Sequence, residues 1–401
     1  MSETAMNTAS ALAPQIQAYL QRSSWIRKMF ETGAELKARH GADAVCDFSL
    51  GNPDLSPPDA VYTALEELAR RDQRFGYMPN AGYPEARTAL AGYLSDEQGT
   101  PVSANDVILT CGAAGALNSF FRAVLEPGDE VLCPAPYFVE YGFYAENHGG
   151  VLHPVSTNPD DFSLDMKAMA DAINPKSRVL LINSPNNPSG RIYTKEELQA
   201  LSDLLAARSR EFGRTIYLLS DEPYRFLTFD DHQTPSLLPL YPHTVVVSSF
   251  SKSLALAGER IGFALVNPAM PGKDELLAGM VLTNRILGFV NAPAVGQRLM
   301  QHALGAKVDV QEYARRRSAM AEILEGAGIS FFKPQGAFYF FPKAPGGDDV
   351  AFVQALQEEL ILAVPGRGFG TPGYFRLAFC VDETVIRRAG AGFKKAAAKF
   401  R

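Results

Sequence analysis

The apolar positions of the chain fall into two rhythms. Between about residues 50 and 290, short continuous apolar runs alternate with stretches of helical periodicity. The runs are Val107-Ile108-Leu109, Val131-Leu132-Cys133, Val179-Leu180-Leu181-Ile182, Ile216-Tyr217-Leu218-Leu219, Val245-Val246-Val247 and Ile261-Gly262-Phe263-Ala264. Runs that do not alternate suit strands covered by helices on both faces. Strand and helix in repeated succession predict an α/β fold with a mostly parallel sheet and crossover helices. From about residue 300 the rhythm changes. Helical stretches flank strand candidates at 338–341 and 374–379. A last helix, starting near Asp382, sets Ile386, Ala389, Phe393, Ala397 and Phe400 on one face. Three parts are therefore expected. Residues 1–50 form a segment that packs on the smaller unit or on a partner subunit, residues 51–290 a large domain, and residues 291–401 a small α+β domain. The amphipathic stretch Trp25-Ile26-Arg27-Lys28-Met29-Phe30 reads as a docking helix of the first part.

Polar residues gather where the apolar runs end. The first run leads into Gly112-Ala113-Ala114-Gly115, the third into Asn183 and Asn187, the fourth into Asp221, and the fifth into Ser249 and Lys252. In open α/β sheets the ligand crevice lies at the carboxyl ends of the strands, so these distant residues are expected to converge on one edge. Lys252 stands out. A lysine delivered at the tip of a buried strand is biased towards its neutral, nucleophilic amine, which can condense with an aldehyde. A carbonyl cofactor held covalently is the chemistry this suggests.

Composition narrows the classes. The 401 residues are 46% apolar and 20% charged, with a formal charge of −6 and no basic block. Neither nucleic-acid binding nor attachment to an anionic membrane is expected. No apolar run reaches membrane-spanning length, and residues 1–14 lack the pattern of a secretion signal. Four dispersed cysteines, with no C-x-x-C pair, suit a reducing cytoplasmic setting. The six histidines show no metal-ligand spacing, so no metal site is expected.

Each remaining motif has a functional and a plain reading. Gly112-Ala113-Ala114-Gly115-Ala116 could seat a phosphate at a helix N-terminus, or simply be a tight strand-to-helix turn. No Gly-Lys-Ser/Thr follows it, which excludes a nucleoside-triphosphate P-loop. Asp221-Glu222-Pro223-Tyr224 could present a carboxylate to a ring nitrogen, or cap a helix. Asn187, in Ser184-Pro185-Asn186-Asn187-Pro188-Ser189-Gly190, could donate to a phenolic oxygen, or serve the turn. Tyr137 could lie against an aromatic cofactor, or be core. Arg376, in the apolar run Tyr374-Phe375-Arg376-Leu377, could grip a substrate carboxylate, or face solvent. Gly366-Arg367-Gly368-Phe369-Gly370 precedes a strand and is no dinucleotide fingerprint.

In this order the motifs resemble those of the fold-type I pyridoxal-phosphate-dependent aminotransferases, class I/II, the group that includes aspartate aminotransferase. The resemblance runs from Gly51-Asn52-Pro53-Asp54 to Arg376. Its core is Ser249-x-Ser251-Lys252 with Leu256-Ala257-Gly258-Glu259-Arg260-Ile261-Gly262, joined by Asn187-Pro188-Ser189-Gly190 and Asp221-x-x-Tyr224. It implies that residues 51–290 bind pyridoxal 5′-phosphate and that Lys252 holds it as a Schiff base and moves the substrate proton. Asp221 would pair with the pyridinium nitrogen, Asn187 and Tyr224 would bond the phenolic oxygen, and Tyr137 would stack on the ring. Ala113, Ala114, Ser249, Ser251 and Arg260 would hold the phosphate, with Tyr77 reaching it from the partner of a homodimer that shares its active sites. Arg376, Asn187 and Gly51 would take the substrate α-carboxylate. The implied reaction moves an amino group between an L-amino acid and a 2-oxo acid by a ping-pong route, with aspartate-type or broad specificity.

Two departures bear on specificity. Arg285 lies near the position of a second cation that aspartate-specific members often supply from the partner subunit to the distal carboxylate, but, counted back from Asn291, misses it by one residue. The ring-stacking position occupied by Tyr137 varies within the family. The same constellation also serves β-lyases and decarboxylases, and a non-catalytic sensor is a third alternative; the absence of a basic N-terminal DNA-binding segment speaks against the last.

Overall fold

The computed structural model describes residues 11–22, 24–70 and 75–400. The helix Ser24–His40 is present, but the side chains of residues 22–30 lie outside the description, and with them the docking face expected of Trp25 to Phe30.

A two-residue strand, β1 (Cys46–Asp47), opens the folded region. Seven strands then build the main sheet: β2 (Val107–Cys111), β3 (Glu130–Ala135), β4 (Val151–Ser156), β5 (Ser177–Asn183), β6 (Tyr217–Asp221), β7 (Thr244–Ser249) and β8 (Ile261–Val266). Their spatial order is β2-β8-β7-β6-β5-β3-β4. All the contacts from β7 to β4 are parallel, whereas β8 runs antiparallel to both its neighbours. Every apolar run read from the sequence falls on one of these strands, with Ile216 just before the start of β6, and β4 is an addition. That edge strand is largely exposed, with only Val155 buried, and contains Pro154, so it carries no continuous run. Helices such as Gly112–Val124 and Lys195–Phe212 cover the faces. The second begins in a capping box, where Thr194 accepts from the Glu197 amide and the Glu197 carboxylate accepts from the Thr194 amide.

The antiparallel direction of β8 matters for the site. Its first residue, Ile261, pairs with Cys111, and Gly262 pairs with Ser249. The start of β8 therefore lies beside the carboxyl ends of β2 and β7, which carries Arg260 to the crevice. The approach is close: a Cβ on Gly262 would sit 2.5 Å from the Gly112 backbone, so only glycine fits there.

A second, smaller layer holds β9 (Tyr339–Phe340), β11 (Val364–Pro365) and β12 (Phe375–Ala378) in the order β11-β12-β9, while β10 (Ile361–Leu362) pairs with β1. The terminal helical region begins as read, with Asp382 accepting from the Thr384 amide, and buries Ile386, Ala389, Phe393 and Ala397. It is broken at Ala389 into two helices. The aromatic core of this layer includes Cys46 and Phe48, takes in Phe162, Tyr224, Leu227 and Phe229 from the large-domain stretch, and runs on from Val308. The helix Ala294–Ala303, expected in the small domain, instead packs Leu299, Met300 and Ala303 against Ile261 and Leu265 of the large sheet.

Candidate active site

A cavity of about 370 Å³ opens at the carboxyl ends of β5, β6 and β7. Gly51, Ala113, Ala114, Asn187, Asp221, Tyr224, Ser249, Ser251, Lys252, Arg260 and Arg376 all line it. Sheet register explains the convergence. Asn183 and Asp221 are paired across β5 and β6, and Asp221 pairs with Val247 of β7. Lys252 follows three residues after β7, in the one-turn helix Phe250–Ser253.

Lys252 donates from Nζ to the Gly51 carbonyl at 2.7 Å, and Nζ lies 5.5 Å from the centre of the Phe338 ring. Burial pulls its proton affinity down to about 8 from the usual 10.5. Asp221 is buried, and the same effect pushes it up to about 7, opposed by a hydrogen bond from Tyr141 and reinforced by the neighbouring Glu222. The Tyr141 hydroxyl donates to Asp221 Oδ2 at 2.6 Å, while Oδ1 is buried with no hydrogen-bond partner. The amide of Asn183 donates to the Asp221 carbonyl at 2.8 Å, and its Oδ1 accepts from the Asn187 backbone N–H at 2.6 Å. One strand-end asparagine thus fixes both neighbours.

Arg376 is 5% exposed. It donates to the Ser49 carbonyl at 2.6 Å and to Asn187 Oδ1 at 3.3 Å, and lies over the rings of Tyr339 and Phe369. Its Nε is buried without a partner. Among the described residues no carboxylate neutralises it, which leaves a buried cation in need of an anion. The Tyr224 hydroxyl lies 2.9 Å from that of Tyr339. Gly112 opens the helix Gly112–Val124 at φ 67°, and a Cβ there would meet the Arg260 guanidinium at 2.7 Å. The first turn of that helix, Ser249, Ser251 and Arg260 make an anion cradle of backbone N–H, hydroxyl and guanidinium groups.

Three sequence candidates lie elsewhere. Tyr137 is not part of the lining; it packs on Gly370, where a Cβ would come within 2.5 Å of its ring, while its neighbour Phe138 lines the cavity. Tyr77 is 98% exposed. Arg285 is exposed near the end of the helix Lys273–Ile286, outside the cavity. Phe138, Tyr141, Tyr339 and Glu140 are lining residues that the sequence reading did not single out. The only signal for Tyr141 was its place one helical turn after Tyr137-Phe138.

The cavity's chemistry fits pyridoxal 5′-phosphate: a primary amine, an orphaned buried carboxylate oxygen for a protonated ring nitrogen, and an anion cradle for a phosphate. A family model described as aminotransferase class I and II matches residues 43–391. The chain belongs to the class I and II aminotransferases. The aspartate/prephenate aminotransferase of Thermus thermophilus is 35% identical over 370 residues, covering 88% of this chain and 90% of that protein. Among solved structures, an amino transferase from Eubacterium rectale superposes with a TM-score of 0.93 at 38% identity, covering 98% of this chain and all of that one. The Thermus thermophilus aspartate aminotransferase with maleate gives 0.86 at 30% identity, covering 97% and 100%. This aminotransferase is a fold-type I enzyme that depends on pyridoxal phosphate and transfers amino groups between amino acids and 2-oxo acids. Among the described residues no helix is long and apolar enough to cross a membrane, and no group of three or more His, Cys, Asp or Glu could hold a metal.

The Tyr141–Asp221 bond makes a prediction. It lowers the proton affinity of Asp221, and a hydrogen bond to a charged group contributes about 1.5–3 kcal/mol, or about one to two pKa units. Tyr141→Phe is expected to shift the Asp221-dependent limb of cofactor affinity upward in pH by about that amount. Titrating the apoenzyme with cofactor across pH reads it; an unmoved limb would show that Tyr141 does not tune Asp221.

Proposed function

We propose that the aminotransferase works through the following residues of this cavity. Lys252 would hold the cofactor, and its amine would carry the proton from Cα. Asp221 keeps the ring nitrogen protonated, and Asn187 and Tyr224 bond the phenolic oxygen. Phe138, rather than Tyr137, covers one ring face. Ala113, Ala114, Ser249, Ser251 and Arg260 hold the phosphate. When bound, the cofactor supplies an electron sink for the pair left at Cα. Arg376, Asn187 and the Gly51 segment fix the α-carboxylate. The observation that carries the reading is the orphaned Asp221 Oδ1, on the wall of the same cavity that Lys252 enters.

Arg376 also favours transamination over decarboxylation. A buried guanidinium that forks onto the carboxylate pairs with its charge and fixes its orientation, and loss of CO2 would break that pair. Kinetics test the reading. With an amino donor and 2-oxoglutarate varied together, parallel double-reciprocal lines are expected. Intersecting lines, or ammonia and pyruvate released from a β-substituted amino acid, would point to other chemistry.

The active assembly in this reading is a homodimer with shared sites, in the cytoplasm. Supporting it are the projecting Tyr77, the exposed apolar Leu282 and Ile286 beside Arg285, and the free thiols of Cys46, Cys111, Cys133 and Cys380. Sedimentation should give twice the 43.6 kDa chain mass; a monomer would leave Tyr77 without a role. The two domains are proposed to part near residue 305, since the large-sheet core reaches Ala303 and the C-terminal share of the small-domain core begins at Val308.

A further inference from the structure

The charged residues lining the cavity are Glu140, Asp221, Lys252, Arg260 and Arg376. In the proposed arrangement four of them have a ligand group to meet. Lys252 takes the cofactor aldehyde, Asp221 the ring nitrogen, Arg260 the phosphate and Arg376 the α-carboxylate. Glu140 is left over. It is the first residue of the helix Glu140–Glu146, two positions beyond Phe138, and it is partly buried. Among the described residues its carboxylate has neither a hydrogen bond nor an ion pair, although Tyr144, one turn further along the same helix, also lines the cavity. Burial raises its proton affinity above that of an ordinary glutamate. A carboxylate that has lost water without gaining a partner is satisfied by a cation or by N–H donors. No such group among the described residues of this chain reaches it.

Among the described residues, this chain's own share of the lining also lacks a spare cation. Ala113, Ala114, Leu117, Phe138 and Tyr144 are uncharged, and Arg285 lies outside. A distal substrate carboxylate would therefore meet Glu140 as a like charge with nothing in this chain's lining to offset it.

We propose that Glu140 is a specificity-determining residue that selects amino donors whose side chain ends in a nitrogen donor, an ammonium or a primary amide, and disfavours dicarboxylic ones. The inference rests on the transamination reading for its substrate frame, and it departs from what the names of the aspartate aminotransferases in the family suggest for those proteins.

The test uses the holoenzyme and two readouts. The first is conversion of the cofactor from its aldehyde to its amine form by ornithine, lysine, glutamine, asparagine and aspartate, each alone. The second is spectral titration with α-methylornithine, α-methylglutamine and α-methylaspartate, which have no Cα proton and report binding without turnover. Ornithine and lysine probe the ammonium, glutamine and asparagine the amide. Nitrogen-bearing ligands are expected to exceed aspartate at least tenfold in both readouts. In Glu140→Gln the ratio should fall by about tenfold or more, through weaker ammonium and stronger aspartate recognition. Each ratio compares ligands on one protein, so a general loss of active enzyme cancels. A ratio unchanged by Glu140→Gln overturns the proposal, as does an aspartate preference that disappears in Arg285→Gln. Failure of every amino acid to convert the cofactor would defeat the transamination reading, while the α-methyl titrations would still decide the role of Glu140.

Discussion

Replacing Lys252 with alanine is expected to remove the absorbance of the linked cofactor and nearly all turnover. The burial that lowers its proton affinity to about 8 decides the magnitude. At pH 7 a group with that affinity holds about 300-fold more neutral amine than one at 10.5. Only the neutral amine can attack an aldehyde or accept a proton. The general-base contribution alone is on the order of 10²–10⁴, and positioning at the cavity wall adds to it, so a loss of about 10⁴-fold or more is expected in kcat. The affinity also sets a sign: covalent capture of the cofactor by apoenzyme should accelerate as pH rises towards about 8 and then level off. Exogenous methylamine, small enough for the vacated space, should restore part of the Lys252→Ala rate. A variant within tenfold of wild type would remove Lys252 from the chemistry.

Asp221→Asn is expected to show the next largest loss. With Oδ1 unpartnered and its carboxyl pushed up to about 7 by desolvation, Asp221 is a carboxylate waiting for a cation. A protonated ring nitrogen supplies one, and the paired charge stabilises the electron density that moves into the ring. Asparagine keeps the shape and the Tyr141 contact but removes the charge. Loss of a preorganised electrostatic partner is worth about 10²–10³ in kcat, with a smaller effect on KM because Arg376 still holds the substrate. The kcat and KM of the folded variant, checked by its circular dichroism, decide the matter. A pure KM effect would show that Asp221 only shapes the pocket.

The residues that carry these predictions were readable because each sits at the end of a continuous apolar run, and a parallel sheet brings such ends together. Lys252, Asp221 and Asn187 reach one cavity for that reason. Direction was not readable. Ile261-Gly262-Phe263-Ala264 has the same composition as its parallel neighbours, yet β8 runs the other way, and only pairing with Cys111 and Ser249 reveals it. Tyr137 and Phe138 are adjacent aromatics after the end of β3, and periodicity gives no face in a loop; the backbone turns Phe138 inward and Tyr137 onto Gly370. Tyr339 and Tyr141 are indistinguishable from core aromatics until their hydroxyl partners, Tyr224 and Asp221, are seen. The helix Ala294–Ala303 follows the rhythm of the C-terminal part but packs on the large sheet, because the apolar surface of β8 needed a cover.

The most direct measurement is reductive trapping. Holoenzyme treated with borohydride and digested should yield one peptide with a reduced pyridoxyl-phosphate adduct, fragmenting to place it on the ε-nitrogen of Lys252. An adduct on a different lysine, or none on protein soaked in the cofactor, would contradict the account.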